Sequence, residues 1–273
     1  MNTIIIEAGR TEKNYWADLW HYRELFLVLA WRDVSVRYKQ TLIGILWAFL
    51  RPLLTMIVFT VIFGRIARLP SDGNTPYAVM VFAAMLPWSL FSNSLTDSAN
   101  SLISNTNLIS KVYFPRLIIP AATLITSLID FAISFVILIA IMIYYHIVPD
   151  CRILLLPLFI IMALLASLGP GLWITALNVK YRDFRYVIPF VVQFGLYISP
   201  VGFSSNVIPE EWRLLYSLNP LVGVIDGFRW CLLGGESPLY LPGLLLSLTV
   251  ITLFLWLGIS RFRRTEKTFA DLI

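Results

Sequence analysis

Six stretches of the chain are predominantly apolar over roughly the 20 residues that a helix needs to cross the hydrocarbon of a bilayer. They run near residues 42–64, 77–101, 117–145, 153–177, 186–203 and 241–260. Inside lipid no water satisfies the backbone amides, so such a segment must bond them internally and becomes an α-helix. Composition agrees: 58% of the residues are hydrophobic and 14% charged, the latter well under the quarter or so of ordinary soluble domains. No polar stretch is long enough to build a second core. Residues 1–273 therefore read as a single transmembrane domain, with a cytoplasmic arm and amphipathic helix over 1–40, the membrane domain over 41–260 and a cytoplasmic tail over 261–273. The opening residues place Ile4-Ile5-Ile6 ahead of any positive charge, the reverse of a secretory signal, so the mature chain is expected to keep its N-terminus.

Six crossings put both termini on one side. Fifteen of the 21 Lys and Arg then fall on that side, five on the other, and Arg51 lies within the first span. The excess of cations on the terminal side predicts that both termini are cytoplasmic. Topology thus accounts for the +5 net charge, and no nucleic-acid partner is expected. Two segments depart from simple spans. In 15–39, Trp16, Leu19, Tyr22, Phe26 and Leu29 recur at steps of three and four, which reads as an amphipathic helix on the cytoplasmic face, either a plain anchor or a docking element. In 204–238, runs too brief to cross alternate with Pro209, Pro220 and the Gly234-Gly235 pair. Short helices dipping in from outside, or a compact outer loop, fit that pattern. The fold expected is an all-α integral membrane protein of six transmembrane helices, with an N-terminal amphipathic interfacial helix and outer re-entrant helices between spans five and six.

The chain has no glycine-rich loop ending in Lys-Ser or Lys-Thr, the device that holds nucleotide phosphates. Uphill transport would therefore draw on an ion gradient or on an ATPase in trans. Charges within the spans are few. Asp97 sits in a polar stretch, Ser89 to Ser101, with Asn93 and Asn100, and suits a helix-end or packing role. Asp130 is the better intramembrane charge, read either as paired with a structural partner such as Arg51 or as serving a transport role. Only Cys151, Cys231, His21 and His146 offer a thiol or an imidazole, so neither a metal site nor a catalytic site is expected. In the fifth span Tyr186, Phe190, Phe194 and Tyr197 form one stripe. Such a stripe suits lipid or neighbouring helices, and equally a smooth wall along which a sugar polymer slides on its C–H faces.

Four stretches in register resemble the membrane subunits of the ABC-2 class, specifically exporters of polysaccharides and polyol phosphates such as O-antigen, capsule and teichoic acid. They are Arg32–Pro52 (RDVSVRYKQTLIGILWAFLRP), Asn107–Pro120 (NLISKVYFPRLIIP), Asn178–Val201 with Arg182-Asp183, Pro189, Gln193 and Ser199-Pro200-Val201, and Asn219-Pro220 through Arg229. The resemblance implies a homodimer that moves a lipid-linked polysaccharide, most simply O-antigen, across the bacterial inner membrane. It also implies two copies of a separate ATP-binding subunit, which would bind ATP and Mg while this chain carries no cofactor. It places Trp47, Tyr186, Phe190, Phe194 and Tyr197 on the channel wall and Trp212, Tyr216, Phe228 and Trp230 at an outer gate. Arg37, Tyr38, Leu108, Lys111, Phe114 and Pro115 fall on the surface that docks the ATPase, where Phe114 beside Lys111 is expected to be exposed. The competing expectations are an ABC-2 permease for a drug, an ion-coupled lipid flippase acting alone, and a non-transporting membrane scaffold or lipid-modifying enzyme.

Overall fold

The structure is a computed structural model that describes residues 15–39, 42–181, 183–234, 239–266 and 269, with no side-chain description over 40–48. Every regular element among them is helical. In chain order these are α1 (Tyr15–His21), α2 (Arg23–Tyr38), α3 (Leu42–Phe59), α4 (Tyr77–Ser104), α5 (Thr106–Lys111), α6 (Ile118–Tyr144), α7 (Leu156–Lys180), α8 (Phe184–Ile198), α9 (Glu210–Tyr216), α10 (Pro220–Leu232) and α11 (Leu241–Thr265). A π-helical stretch, Thr60–Ile66, continues α3, and a 3₁₀ turn, Cys151–Leu155, leads into α7.

Among the described residues five helices are long and apolar enough to cross a bilayer: Phe49–Ile66, Tyr77–Ser104, Ile118–Tyr144, Cys151–Lys180 and Leu241–Thr265. The remaining apolar segment, expected over 186–203, is helical only as far as Ile198. At 1.5 Å per residue its 15 residues span about 22 Å, short of the hydrocarbon thickness of roughly 30 Å. Pro200 is the cause. A residue before proline is driven out of the helical region, and Ser199 is extended at φ −82, ψ 152. Beyond it the chain reaches the first residue of α4, where the Tyr77 hydroxyl donates to the Gly202 carbonyl.

The first and last described residues lie at one end of the bundle, here termed basal. The Tyr15 hydroxyl donates to Glu266 Oε2 at 3.0 Å, the Arg116 amide to Glu266 Oε1 at 2.6 Å, and the Arg116 guanidinium to the Glu266 carbonyl. Burial, reinforced by the Glu266 carboxylate, pushes the Tyr15 pKa up, so the phenol stays a donor. At the opposite, apical end α9 and α10 form a hairpin. Its turn sits beside Ser247, whose hydroxyl donates to the Ser217 carbonyl at 3.1 Å. Ser247 is the seventh residue of α11, so the hairpin dips about 9 Å below the start of that helix. Asn219 caps α10 by accepting from the Leu221 amide at 3.1 Å, with Pro220 in the first turn.

The core forms around α4, which packs on α6, α7 and α10. Gly169 and Gly258 let α7 and α11 touch backbone to backbone: a Cβ on Gly258 would lie 2.1 Å from the Gly169 carbonyl oxygen, the close approach that small residues permit between membrane helices. A second cluster at the basal end joins Leu29, Ala30, Phe114, Ile118, Ile119, Ala122 and Phe262. The N-terminal segment is not one helix flat on a surface. It breaks at Tyr22, and α2 packs on α6, with Leu29 and Ala30 buried beside the first turns of that helix. Eight residues past Ala122, Asp130 meets Arg37, seven past Ala30, so the two helices climb together from the basal end.

Candidate functional site

Between α3, α4, α6 and α8 lies a cavity of ≈ 670 Å³. Its longest wall is α4, from Met85 to Asp97, about 18 Å of helix. Ser89, Ser92, Asn93, Thr96 and Asp97 recur at helical spacing along this wall, and Thr55, Ser134 and Gln193 face them from α3, α6 and α8. A stripe of hydroxyls and amides inside a bundle of apolar spans is costly unless it lines a wetted path or meets a polar ligand. The polar run was visible in the sequence around Asn93 and Asp97; the structure divides it, with Ser89, Ser92, Asn93, Thr96 and Asp97 on the cavity and Ser94, Ser98 and Ser101 buried in helix packing. Apolar residues complete the lining: Trp88 on α4 itself, Phe131 on α6, and Val192 and Leu196 on α8.

The charges gather at the basal end of this cavity. Arg37 donates from Nη1 to Asp130 Oδ2 at 2.7 Å and from Nη2 to Asp97 Oδ2 at 3.0 Å. The Tyr38 hydroxyl donates to the other oxygen of Asp130. The expected pairing of Asp130 with Arg51 is replaced: Arg51 lines the same cavity but makes no ion pair among the described residues. Arg37 and Tyr38, expected on a docking surface, are thereby turned inward. A guanidinium fork matches two carboxylates better than any single partner could.

Of the expected channel residues, Trp47 lies where side chains are outside the described set. Tyr186, Phe190, Phe194 and Tyr197 do form one exposed stripe on α8, with the Phe190 and Phe194 rings 4.3 Å apart. The stripe does not face the cavity described above. Pro189, Val192, Gln193 and Leu196 do that, and at 100° per residue the rings lie roughly a quarter-turn away.

The expected outer-gate residues separate. Phe228 is 0% exposed and packs edge-on against Phe131, so in this conformation it belongs to the core and cannot line a gate. Trp230 lies under the Arg152 guanidinium at 5.0 Å, Trp212 is exposed, and the Tyr216 hydroxyl donates to the Ile198 carbonyl at the end of α8 at 2.7 Å. Beneath them is a feature not assigned from sequence. Arg229, 1% exposed, donates to the carbonyls of Phe203 at 2.9 Å, Val201 at 3.2 Å and Met80 at 3.4 Å. It thus ties the segment after α8 to α10 and α4.

On the basal surface Lys111 is exposed and Leu108 partly buried. Phe114 is 3% exposed in the second cluster and Pro115 is also buried. The expectation of an exposed Phe114 is therefore corrected: the exposed ring is its neighbour Tyr113, beside exposed Val112, because Phe114 is the side chain that turns toward Ile118 and Phe262.

A polar-walled cavity inside an all-helical membrane bundle is accompanied by a match of residues 24–233 to the sequence profile of the ABC-2 type transporters. The chain belongs to the ABC-2 type transporter family. It is 27% identical over 258 residues to the O-antigen export system permease protein RfbA of Myxococcus xanthus, covering 94% of this chain and 98% of that one. To the RfbA protein of Klebsiella pneumoniae it is 26% identical, over 94% and 97% of the two chains. The inner membrane transport permease YadH of Escherichia coli K12 is 24% identical over 78% of this chain and 87% of its own length. As an ABC-2 permease the chain is a transport subunit of the membrane, and all the cavity walls, α8 included, together with the Arg37 cluster, lie within the family match.

Proposed function

We propose that this chain is the membrane subunit of an ATP-driven exporter of a lipid-linked polysaccharide of the O-antigen type. It works in the bacterial inner membrane as a homodimer, with two copies of an ATP-binding subunit that carry the ATP and Mg. The observation that carries the reading is the cavity: a row of hydroxyl and amide side chains on α4 offers hydrogen bonds to sugar hydroxyls, while the Trp88 and Phe131 rings in the same lining suit their C–H faces. Near-complete alignment with the two O-antigen export permeases supports that substrate; the alignment with the transport permease YadH covers less of the chain.

In this reading the basal end is cytoplasmic, because most Lys and Arg between the spans lie there. The turn over residues 199–202 completes the crossing that α8 begins, so the chain passes six times. The exposed α8 rings, a quarter-turn from the protomer's cavity, face the pathway shared with the second copy and give the polymer a surface without deep wells. Closure of the ATP-binding subunits pushes on α1 and on the Val112-Tyr113 surface, and the helices relay the motion as rigid bodies. The α9–α10 hairpin closes the outer side.

Deleting the subunit tests this. Lipid-linked glycan should accumulate on the cytoplasmic face of the inner membrane, and the tagged subunit should co-purify with an ATPase. Normal glycan export in the deletion strain, with loss of efflux of small lipophilic compounds instead, would refute the polysaccharide assignment.

A further inference from the structure

We propose that α2 is a latch that shuts the basal mouth of the cavity, with Arg37 as its closing residue. Asp97 is the most basal α4 residue on the cavity wall, and Asp130 the most basal residue of α6. Below them on α4, Ser98, Ala99, Ser101 and Leu102 are buried in helix packing. The Arg37 guanidinium therefore bridges two helices at the floor of the cavity, and Tyr38 seats the same corner through Asp130.

The chemistry makes this contact reversible. One cation holds two carboxylates, and the three side chains keep 37%, 25% and 18% of their surface, so water can replace each partner as it leaves. A fully buried pair could not be parted so readily. When Arg37 withdraws, Asp97 and Asp130 are left facing one cavity, where two like charges repel and where carboxylates accept hydrogen bonds from sugar hydroxyls. Opening the floor and baring acceptors for a glycan are then one event, a point that rests on the polysaccharide reading above.

The latch has a handle. The 16 residues of α2 form a rod of about 24 Å. Its foot follows α1, whose Tyr15 is bonded to Glu266, which in turn accepts from Arg116. A push on that basal assembly is thereby delivered to Arg37.

The test uses the complete transporter, this chain with its ATP-binding partner, in inside-out membrane vesicles. Cys151→Ser and Cys231→Ala remove native thiols, and Ser89→Cys places a probe on the cavity wall. An impermeant maleimide is added without ATP. Arg37→Ala should raise the labelling rate about tenfold, within the range for removing one member of a coupled ionic network. Arg37→Lys, which keeps the charge but loses the fork, should give a smaller rise. The exchanged pair Arg37→Asp with Asp97→Arg should restore slow labelling. Unchanged labelling in an assembled Arg37→Ala complex would overturn the latch while leaving polysaccharide export intact as a reading. Loss of assembly in every Arg37 variant, the exchanged pair included, would make Arg37 a structural residue and also overturn it. Failure of the parent to export glycan would remove the export reading alone, since the labelling comparison needs no substrate.

Discussion

Replacing Arg229 with Met removes a guanidinium while keeping most of an apolar stem of similar length. The structure sets the size of the loss. Two of the three hydrogen bonds, to Phe203 at 2.9 Å and Val201 at 3.2 Å, are well formed, and the third, to Met80 at 3.4 Å, is long. Hydrogen bonds from a charged donor contribute about 1.5–3 kcal/mol each, and their loss leaves carbonyls without partners. The side chain is 1% exposed, so water cannot step in. Taken together the substitution should cost about 3–5 kcal/mol, or about two to four decades in the folding equilibrium. The assay is reversible unfolding in mixed mild-detergent and dodecyl sulfate micelles, followed by tryptophan fluorescence. Arg152→Met is the control, because that guanidinium lies over the Trp230 ring at 5.0 Å and should be worth about 0.5–1 kcal/mol. Arg229→Lys should recover part of the loss, since a single ammonium serves fewer of the diverging carbonyls. An Arg229→Met protein within about 1 kcal/mol of the parent would refute the account of Arg229 as the clamp on the segment after α8.

Three further outcomes follow from exposure. Tyr113→Asp should leave the subunit in the membrane but weaken its co-purification with the ATPase, whereas Phe114→Asp, at a 3% exposed site, should lower the yield of folded subunit because it buries a carboxylate. Equal effects of the two would reverse the docking assignment. Changing Phe190, Phe194 and Tyr197 together to Ala should slow export of long glycans more than short ones and leave basal ATP hydrolysis in place; equal loss at both lengths would remove the rings from the conduit. Cys151, exposed, should react with an impermeant thiol reagent on intact protoplasts while buried Cys231 stays shielded, and labelling of Cys151 only after the membrane is opened would invert the topology.

The long helices were legible because a run of about 20 apolar residues has no other stable fate in lipid. The end of α8 was signalled by Ser199-Pro200, but hydropathy alone ran through it to residue 203. The climb of α2 was hidden for a different reason. Leu29 and Ala30 bury inward while Leu27, Val28, Trp31 and Val36 are exposed, so both sides are apolar, and a helix of that kind gives a weak amphipathic signal. The acidic residues in the spans were visible, yet their partner was not: Arg37 is 93 positions from Asp130, and Arg51, on the first span, was an equally reasonable choice. Tyr113 and Phe114 are adjacent rings whose burial is decided by Ile118 and Phe262, contacts that no local pattern encodes.

The distribution of burial explains why this cavity can change width. In α4 78% of the spanning window is buried, against 6% for Phe49–Ile66, and on α8 only Ile188 is buried. α8 meets α4 where Gly195 lies against the Trp88 ring, at 2.7 Å for an added Cβ. The cavity is thus walled on one side by the packed body of the protein and on the other by two helices that share little surface with it. Moving α3 and α8 outward uncovers little apolar area, so the cost of widening stays small compared with any rearrangement of α4, α7 or α11. Arg37 acts at the one place where such a movement must be released, because α2 ends at Tyr38 and α3 begins at Leu42. A displacement of α2 that frees Asp97 and Asp130 is carried within four residues into the first wall of the cavity.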